Sequence, residues 1–208
     1  MGKTHVNDVD ALHADAKKLI DQHITGGNPE SFDSMIAKAD EALDGLKNHW
    51  KGGDAGKNIN DLTTVRNGLA GFRDIFAKLG EAAGGIAHDY REIQIANLAP
   101  KPALAKIAEL AGKAKLAEYK DDTDQAYVDP QANTEKAMVD TLRTNLNALE
   151  SNVKSSMDKI LNENWLEGEG REEYVQAYDK FKTELTKYKE TLDKVDSNLK
   201  TALENWKA

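Results

Sequence analysis

The sequence predicts an all-α fold: two antiparallel helical hairpins in tandem, forming a four-helix-bundle-like assembly with an extra N-terminal helix and a short linker helix. Three observations predict it. Apolar residues recur at three- and four-residue steps along most of the chain, the period of one helical face. Only four of the 208 residues are proline. Twice, a tryptophan stands just before a glycine-rich turn, in Trp50-Lys51-Gly52-Gly53 and in Trp165-Leu166-Glu167-Gly168. The composition, 39% hydrophobic and 31% charged, is that of a helical bundle and not of a disordered tail.

The elements follow in order. Val9, Leu12, Ala16, Leu19 and Ile20 mark a first helix over residues 6–23, which Gly26-Gly27-Asn28-Pro29 ends. Asn28 as N-cap with Pro29 at the first helical position starts a second helix, carried by Phe32, Met35, Ile36, Ala39, Leu43 and Leu46 to Trp50. Three glycines between Gly52 and Gly56 then predict a reversal. A third helix returns antiparallel with Ile59, Leu62, Val65, Leu69, Phe72, Leu79, Ala83, Ile86, Tyr90 and Ile93. It also holds Gly68, Gly71, Gly80, Gly84 and Gly85, each costing about 1 kcal/mol relative to alanine in a helix interior. Two readings compensate: a smooth face for close helix approach, or a break near Gly84-Gly85.

Pro100 and Pro102 stop that helix, residues 103–119 read as a short amphipathic helix rich in Ala and Lys, and Lys120-Asp121-Asp122-Thr123-Asp124 reads as a solvated loop. Asp129-Pro130 repeats the cap-and-proline start for a long helix through Met138, Leu142, Leu146, Leu149, Val153, Met157 and Ile160 to Trp165. The last helix carries Tyr174, Tyr178, Phe181, Leu185, Tyr188, Leu192, Val195, Leu199, Leu203 and Trp206 in steps near a heptad. The expected organisation is a first hairpin with its N-terminal helix over 1–99, a linker over 100–129 and a second hairpin over 130–208.

The halves share a layout, with Trp50 and Gly53 matching Trp165 and Gly168 at an offset of 115 positions, and Ile59 and Tyr174 each nine residues beyond their tryptophan. Trp50-Lys51-Gly52 is a literal Trp-x-Gly between two amphipathic helices, and Trp165 to Gly168 a one-residue variant. The chain therefore resembles a tandem of the WXG, or early-secreted-antigen, family of helical hairpins. That resemblance implies a non-enzymatic protein of Gram-positive type VII secretion, in which one chain mimics the family's hairpin-on-hairpin dimer. It implies an adaptor, a chaperone or targeting partner, or a substrate, binding a secreted effector or a secretion component through a helical face, with a homodimer as a further possibility. No tyrosine has Asp or Glu four residues later, Tyr90 with Gln94 coming nearest, so chaperone and targeting roles stand beside the substrate role. Cytoplasmic synthesis with Sec-independent export is the implied location. The alternative is a structural or surface helical-bundle module unrelated to secretion.

The candidate turn and interaction residues are Trp50, Gly52, Gly53, Trp165 and Gly168. Trp at a last helical turn can lay its ring across the neighbouring hairpin while Gly supplies a positive φ, so packing is the first reading and recognition the second.

Other functions lack their residues. The net charge is −8, with 28 basic residues interspersed among 36 acidic ones, which leaves no basic stripe for a nucleic acid. Absence of cysteine removes disulfides, thiolate metal sites and a thiol nucleophile. No run approaches the ~18 apolar residues of a membrane span, and the polar start, Met1 to Asp8, carries no apolar stretch of the Sec type. His5, His13, His23, His49 and His88 lie in the first half, yet no Glu-x-x-His occurs, only Asp10-x-x-His13. Neither a Gly-x-Ser-x-Gly nor a Walker-type loop is present. The sequence therefore predicts no catalytic residues, no metal and no cofactor.

Overall fold

The structure is a computed structural model that describes residues 4–97, 101–121, 123 and 125–206. The all-α class holds. The elements are β1 (His5–Val6), α1 (Val9–Lys18) running into a π-helical turn at Leu19–Ile24, α2 (Phe32–His49), β2 (Trp50–Lys51) and α3 (Ala55–Asn97). After an extended segment come β3 (Tyr127–Val128), α4 (Ala132–Met157) with a π-helical turn at Asp158–Asn164, β4 (Trp165–Glu167) and α5 (Arg171–Trp206).

One helix start differs from expectation and one agrees with it. The helix expected to begin at Pro29 begins at Phe32, because Ser31 takes the cap: its hydroxyl accepts from the Ser34 amide at 3.2 Å. Asn28 is occupied instead in donating to the Gln22 carbonyl, which ties the inter-helix loop to the preceding turn. At α4 the cap-and-proline start holds: the Asp129 carboxylate accepts from the Gln131 amide two positions on, and the amides of Ala132, Asn133 and Thr134 donate to the carbonyls of Asp129, Pro130 and Gln131 in a tighter first turn that leads into the regular helix at Ala132. Pro100 and the loop residues Asp122 and Asp124 lie outside the described residues.

The N-terminal helix does not sit outside the bundle. Moving back along α3, Arg91 pairs with Asp10, Gly80 faces Ile20, Arg73 meets Asp33 at 3.0 Å and Arg66 meets Asp40 at 2.7 Å. So α1 and α2 lie end to end along α3 as one interrupted helix. The interruption accounts for the unequal halves: Trp50 follows Val6 by 44 positions and Trp165 follows Val128 by 37, the excess being the seven-residue loop 25–31. The second pair closes a ring, with α4 against α2 and α5, and α5 against α3.

Inside that ring the chain's four phenylalanines meet. Phe32 of α2, Phe72 and Phe76 of α3 and Phe181 of α5 have ring centroids 5.1–6.1 Å apart in tilted, stacked and edge-on pairs. Such pairs contribute about 0.5–1.5 kcal/mol each beyond the burial of their area. Of the two glycine readings, the break is absent, and close approach accounts for three of the five positions, Gly71 and Gly85 facing open space. The third helix is unbroken, and a Cβ at Gly68, Gly80 or Gly84 would strike Tyr188, Ile20 or Ile107.

The short linker helix does not form. Residues 101–121 run extended along α3, although Ala, Leu, Lys and Glu, all strong helix formers, fill fourteen of positions 103–119. Side chains of α3 take the main-chain groups that a helix would need. Asn60 accepts from the Tyr119 amide and donates to its carbonyl, and Asn67 does the same to Leu116. Asp74 accepts from the Lys113 amide and Glu81 from the Leu110 amide. Arg66 and Arg73 donate to the Ala114 and Ala111 carbonyls while holding Asp40 and Asp33 of α2. The anchors recur every seven residues on α3 and every three on this extended strap, residues 101–121. Seven helical residues rise about 10.5 Å and three extended residues span up to about 10–11 Å, so the two periods stay in register.

Candidate functional site

The expected site residues fall at opposite ends of the bundle. Trp50 ends α2 beside the start of α4, whereas Trp165 follows α4 beside the start of α1. The short strands pair crosswise between halves: Trp50 opposite Val128 and Lys51 opposite Tyr127, then His5 opposite Glu167 and Val6 opposite Trp165. Each tryptophan corner is thus completed by the strand that opens the other half. The structure does not bring the two corners together.

At the first corner, Trp50 is 5% exposed and its extended backbone leaves the helix while its amide still donates to the Leu46 carbonyl. Gly52 and Gly53 have φ of +68° and +50°, and the Gly52 carbonyl accepts from the Ala55 amide to open α3. Gly52 is required for two reasons. Its φ lies in the left-handed region, and a Cβ there would stand 2.8 Å from the Ala126 Cα and the Gln125 carbonyl oxygen. Its amide donates to Asp121 at 2.6 Å, which anchors the end of the strap. The Thr123 hydroxyl foremost, joined by the Gly52 and Thr123 amides, holds the Asp121 carboxyl below the usual carboxylate range. Lys51 reaches the Tyr119 hydroxyl at 2.8 Å.

Beside this corner lies a cleft of about 380 Å³, lined by Trp50, Tyr127, Val128, Asn198, Thr201 and Trp206 among others. Tyr127 and Trp206, 38% and 53% exposed, meet edge-on with centroids 5.5 Å apart. The Tyr127 hydroxyl donates to Asp129 at 2.8 Å, which raises the tyrosine's own pKa. Asp129 is held low by the Gln131 amide and that hydroxyl. At the cleft wall, Asn198 donates to Asn58 at 2.9 Å, joining α5 to the start of α3.

The second corner is closed over. Trp165 is 1% exposed, its indole N–H donates to the Glu167 carbonyl at 3.1 Å, and the Tyr174 ring lies 6.1 Å away. Arg171 donates to the Trp165 and Leu161 carbonyls, satisfying the end of the preceding helical turn. Gly168 has φ +152°, and a Cβ on it would lie 2.8 Å from the Trp165 indole nitrogen.

The histidines are dispersed. His13 bonds the Ala105 carbonyl at 2.8 Å, His49 meets the buried Glu135 at 3.3 Å, and His23 lies in the π-helical turn after α1. Among the described residues no group of three or more His, Asp or Glu is arranged to hold a metal ion, and no helix is long and apolar enough to cross a membrane.

Fold and site together define a class: an all-helical protein with two Trp–Gly corners at opposite ends, one packed shut and one opening on an aromatic cleft. No family model, curated protein or solved structure matches the chain.

Two features escaped the sequence reading. Tyr127 and Trp206 lie 79 positions apart, and only the fold joins them. The strap carried a signal, since from Leu104 the chain reads in triplets, Leu-Ala-Lys, Ile-Ala-Glu, Leu-Ala-Gly, Lys-Ala-Lys, Leu-Ala-Glu and then Tyr119. On an α-helix each three-residue step falls back by about 60°, so five steps carry the stripe most of the way round the helix and leave no single face.

Proposed function

We propose that the protein works without catalysis, as a helical binding partner in a type VII-like secretion pathway, a chaperone or targeting partner before a substrate. The partner docks at the Trp50 corner, placing an apolar or aromatic side chain in the cleft beside the Tyr127–Trp206 ring pair. The observation that carries this reading is the inequality of the two corners. Both tryptophans are buried, but only beside Trp50 do two large aromatic rings stand exposed around a cleft. Exposed aromatics of this kind are the usual anchors of protein contacts. The resemblance of Trp50-Lys51-Gly52 to the WXG turn supplies the pathway.

The test is capture from the native host with tagged full-length protein, beside Trp206→Ala, a substitution at an exposed position near the end of α5. The reading expects a co-purifying effector with a helical N-terminal region, at least about tenfold depleted with Trp206→Ala, a loss of at least ~1.4 kcal/mol. It also expects that effector to leave the culture supernatant when the gene is deleted. Unchanged secretion together with no specific partner overturns the reading, and the surface or structural bundle takes its place.

A further inference from the structure

We infer that α3 is a receptor for extended peptide, and that residues 104–119 are its tethered, exchangeable ligand. A partner segment with an apolar residue at every third position displaces them. Three observations carry this. First, the anchors read main-chain atoms. Asn60, Asn67, Asp74 and Glu81 bond the amides of Tyr119, Leu116, Lys113 and Leu110, and Arg66 and Arg73 bond the Ala114 and Ala111 carbonyls. Such a ladder resembles strand addition to a sheet edge, where the backbone supplies affinity and alternate side chains supply selection. The selection here is spatial: Leu104, Ile107, Leu110, Leu116 and Tyr119 are half-buried and packed on the core, Lys113 at the remaining position of that spacing is half-buried and pairs with Asp33 at 3.3 Å, and a Cβ at Gly84 would occupy the place of Ile107.

Second, the intervening residues at 105, 106, 108 and 109 are exposed, so their identity is not read. Third, the bound conformation opposes local preference. A segment dominated by Ala, Leu, Lys and Glu favours a helix once free, so leaving α3 gives it an alternative structure. Extended on α3 and helical off it are two discrete states, and a ligand for α3 shifts their balance. This inference is independent of the secretion reading.

The probe is a fluorescein-labelled peptide of residues 103–121, titrated by anisotropy into two full-length proteins. One is the native chain; in the other Leu104, Ile107, Leu110, Leu116 and Tyr119 are replaced by serine. The peptide is expected to bind the serine variant in the micromolar range. Binding to the native chain is expected to be at least about tenfold weaker, because a tethered competitor acts at an effective concentration of order millimolar. Adding Asn60→Ala and Asn67→Ala to the serine variant is expected to abolish binding, as is shuffling the peptide so that the three-residue spacing is lost. No binding to a folded serine variant overturns the inference, and so does equal binding of the shuffled peptide. Should the serine variant fail to fold, hydrogen exchange of the native chain decides. Amides of Leu110, Lys113, Leu116 and Tyr119 that exchange well before the buried amides of α3 support it, and amides that exchange only on global unfolding overturn it.

Discussion

Asn67 of α3 grips Leu116 of the strap through both atoms of its carboxamide, accepting from the Leu116 amide and donating to the Leu116 carbonyl, each at 2.8 Å. One side chain thereby satisfies both polar groups of a residue that belongs to no helix or strand. Asn60 repeats the grip one heptad earlier on Tyr119. A chain of helix-forming composition stays extended because side chains of α3 bond main-chain groups that its own coiling would otherwise satisfy.

Asn67→Ala should destabilise the protein by about 1–3 kcal/mol, the cost of two half-buried backbone groups left to find water or nothing. Urea unfolding gives the magnitude. Amide exchange at Leu116 accelerated over that of the α3 core places the effect in the strap, and uniform acceleration would refute the local account.

Gly84 and Gly85 are adjacent in α3 and should respond with opposite sign. Alanine at Gly85 meets open space and should stabilise by about 0.5–1 kcal/mol through helix propensity. Alanine at Gly84 gains the same propensity but drives its Cβ into Ile107, which should leave a net loss of about 1 kcal/mol. Thermal midpoints of the two variants measured side by side check the sign.

Gly52→Ala should cost about 2 kcal/mol or more and Gly53→Ala about 1 kcal/mol. Both need a left-handed backbone, but only Gly52 is pressed against backbone at residues 125 and 126. Equal costs would show that the close approach of residues 125 and 126 to the turn contributes nothing.

Acidification should weaken the fold partly through His23. Burial, with Lys18 adding to it, pushes this imidazole below the usual histidine value, and its Nδ1 has no hydrogen-bond partner. The native state therefore resists a proton that the unfolded chain accepts. Stability from this group is complete above about pH 6.5 and falls as pH drops through the range between the unfolded and folded values. His23→Leu removes both the titration and the unpaired nitrogen. Urea midpoints at pH 7.5 and 5.0 should differ less in that variant than in the native chain.

The corners show how much of the site was legible. Trp50, Gly52, Trp165 and Gly168 stood out because a bulky ring beside a residue able to take positive φ is a local device, complete within four positions. Their inequality was not legible. Arg171 closes one corner from the next helix, while Tyr127 and Trp206 open the other from elements 79 positions apart.

The sequence by itself determined the helices, because amphipathic period, glycine turns and N-caps act over one to four residues. Even there one cap slipped, to Ser31, because Asn28 is engaged by the Gln22 carbonyl of the preceding turn. Tertiary structure alone decided the state of residues 103–119. Their propensity favours a helix, but a helix would forfeit the main-chain bonds offered by Asn60, Asn67, Asp74 and Glu81 and would carry its three-residue apolar stripe away from α3. Local preference amounts to a few tenths of a kcal/mol per residue, and hydrogen bonds of which several engage charged side chains contribute about 0.5–3 kcal/mol each, so the partner surface prevails.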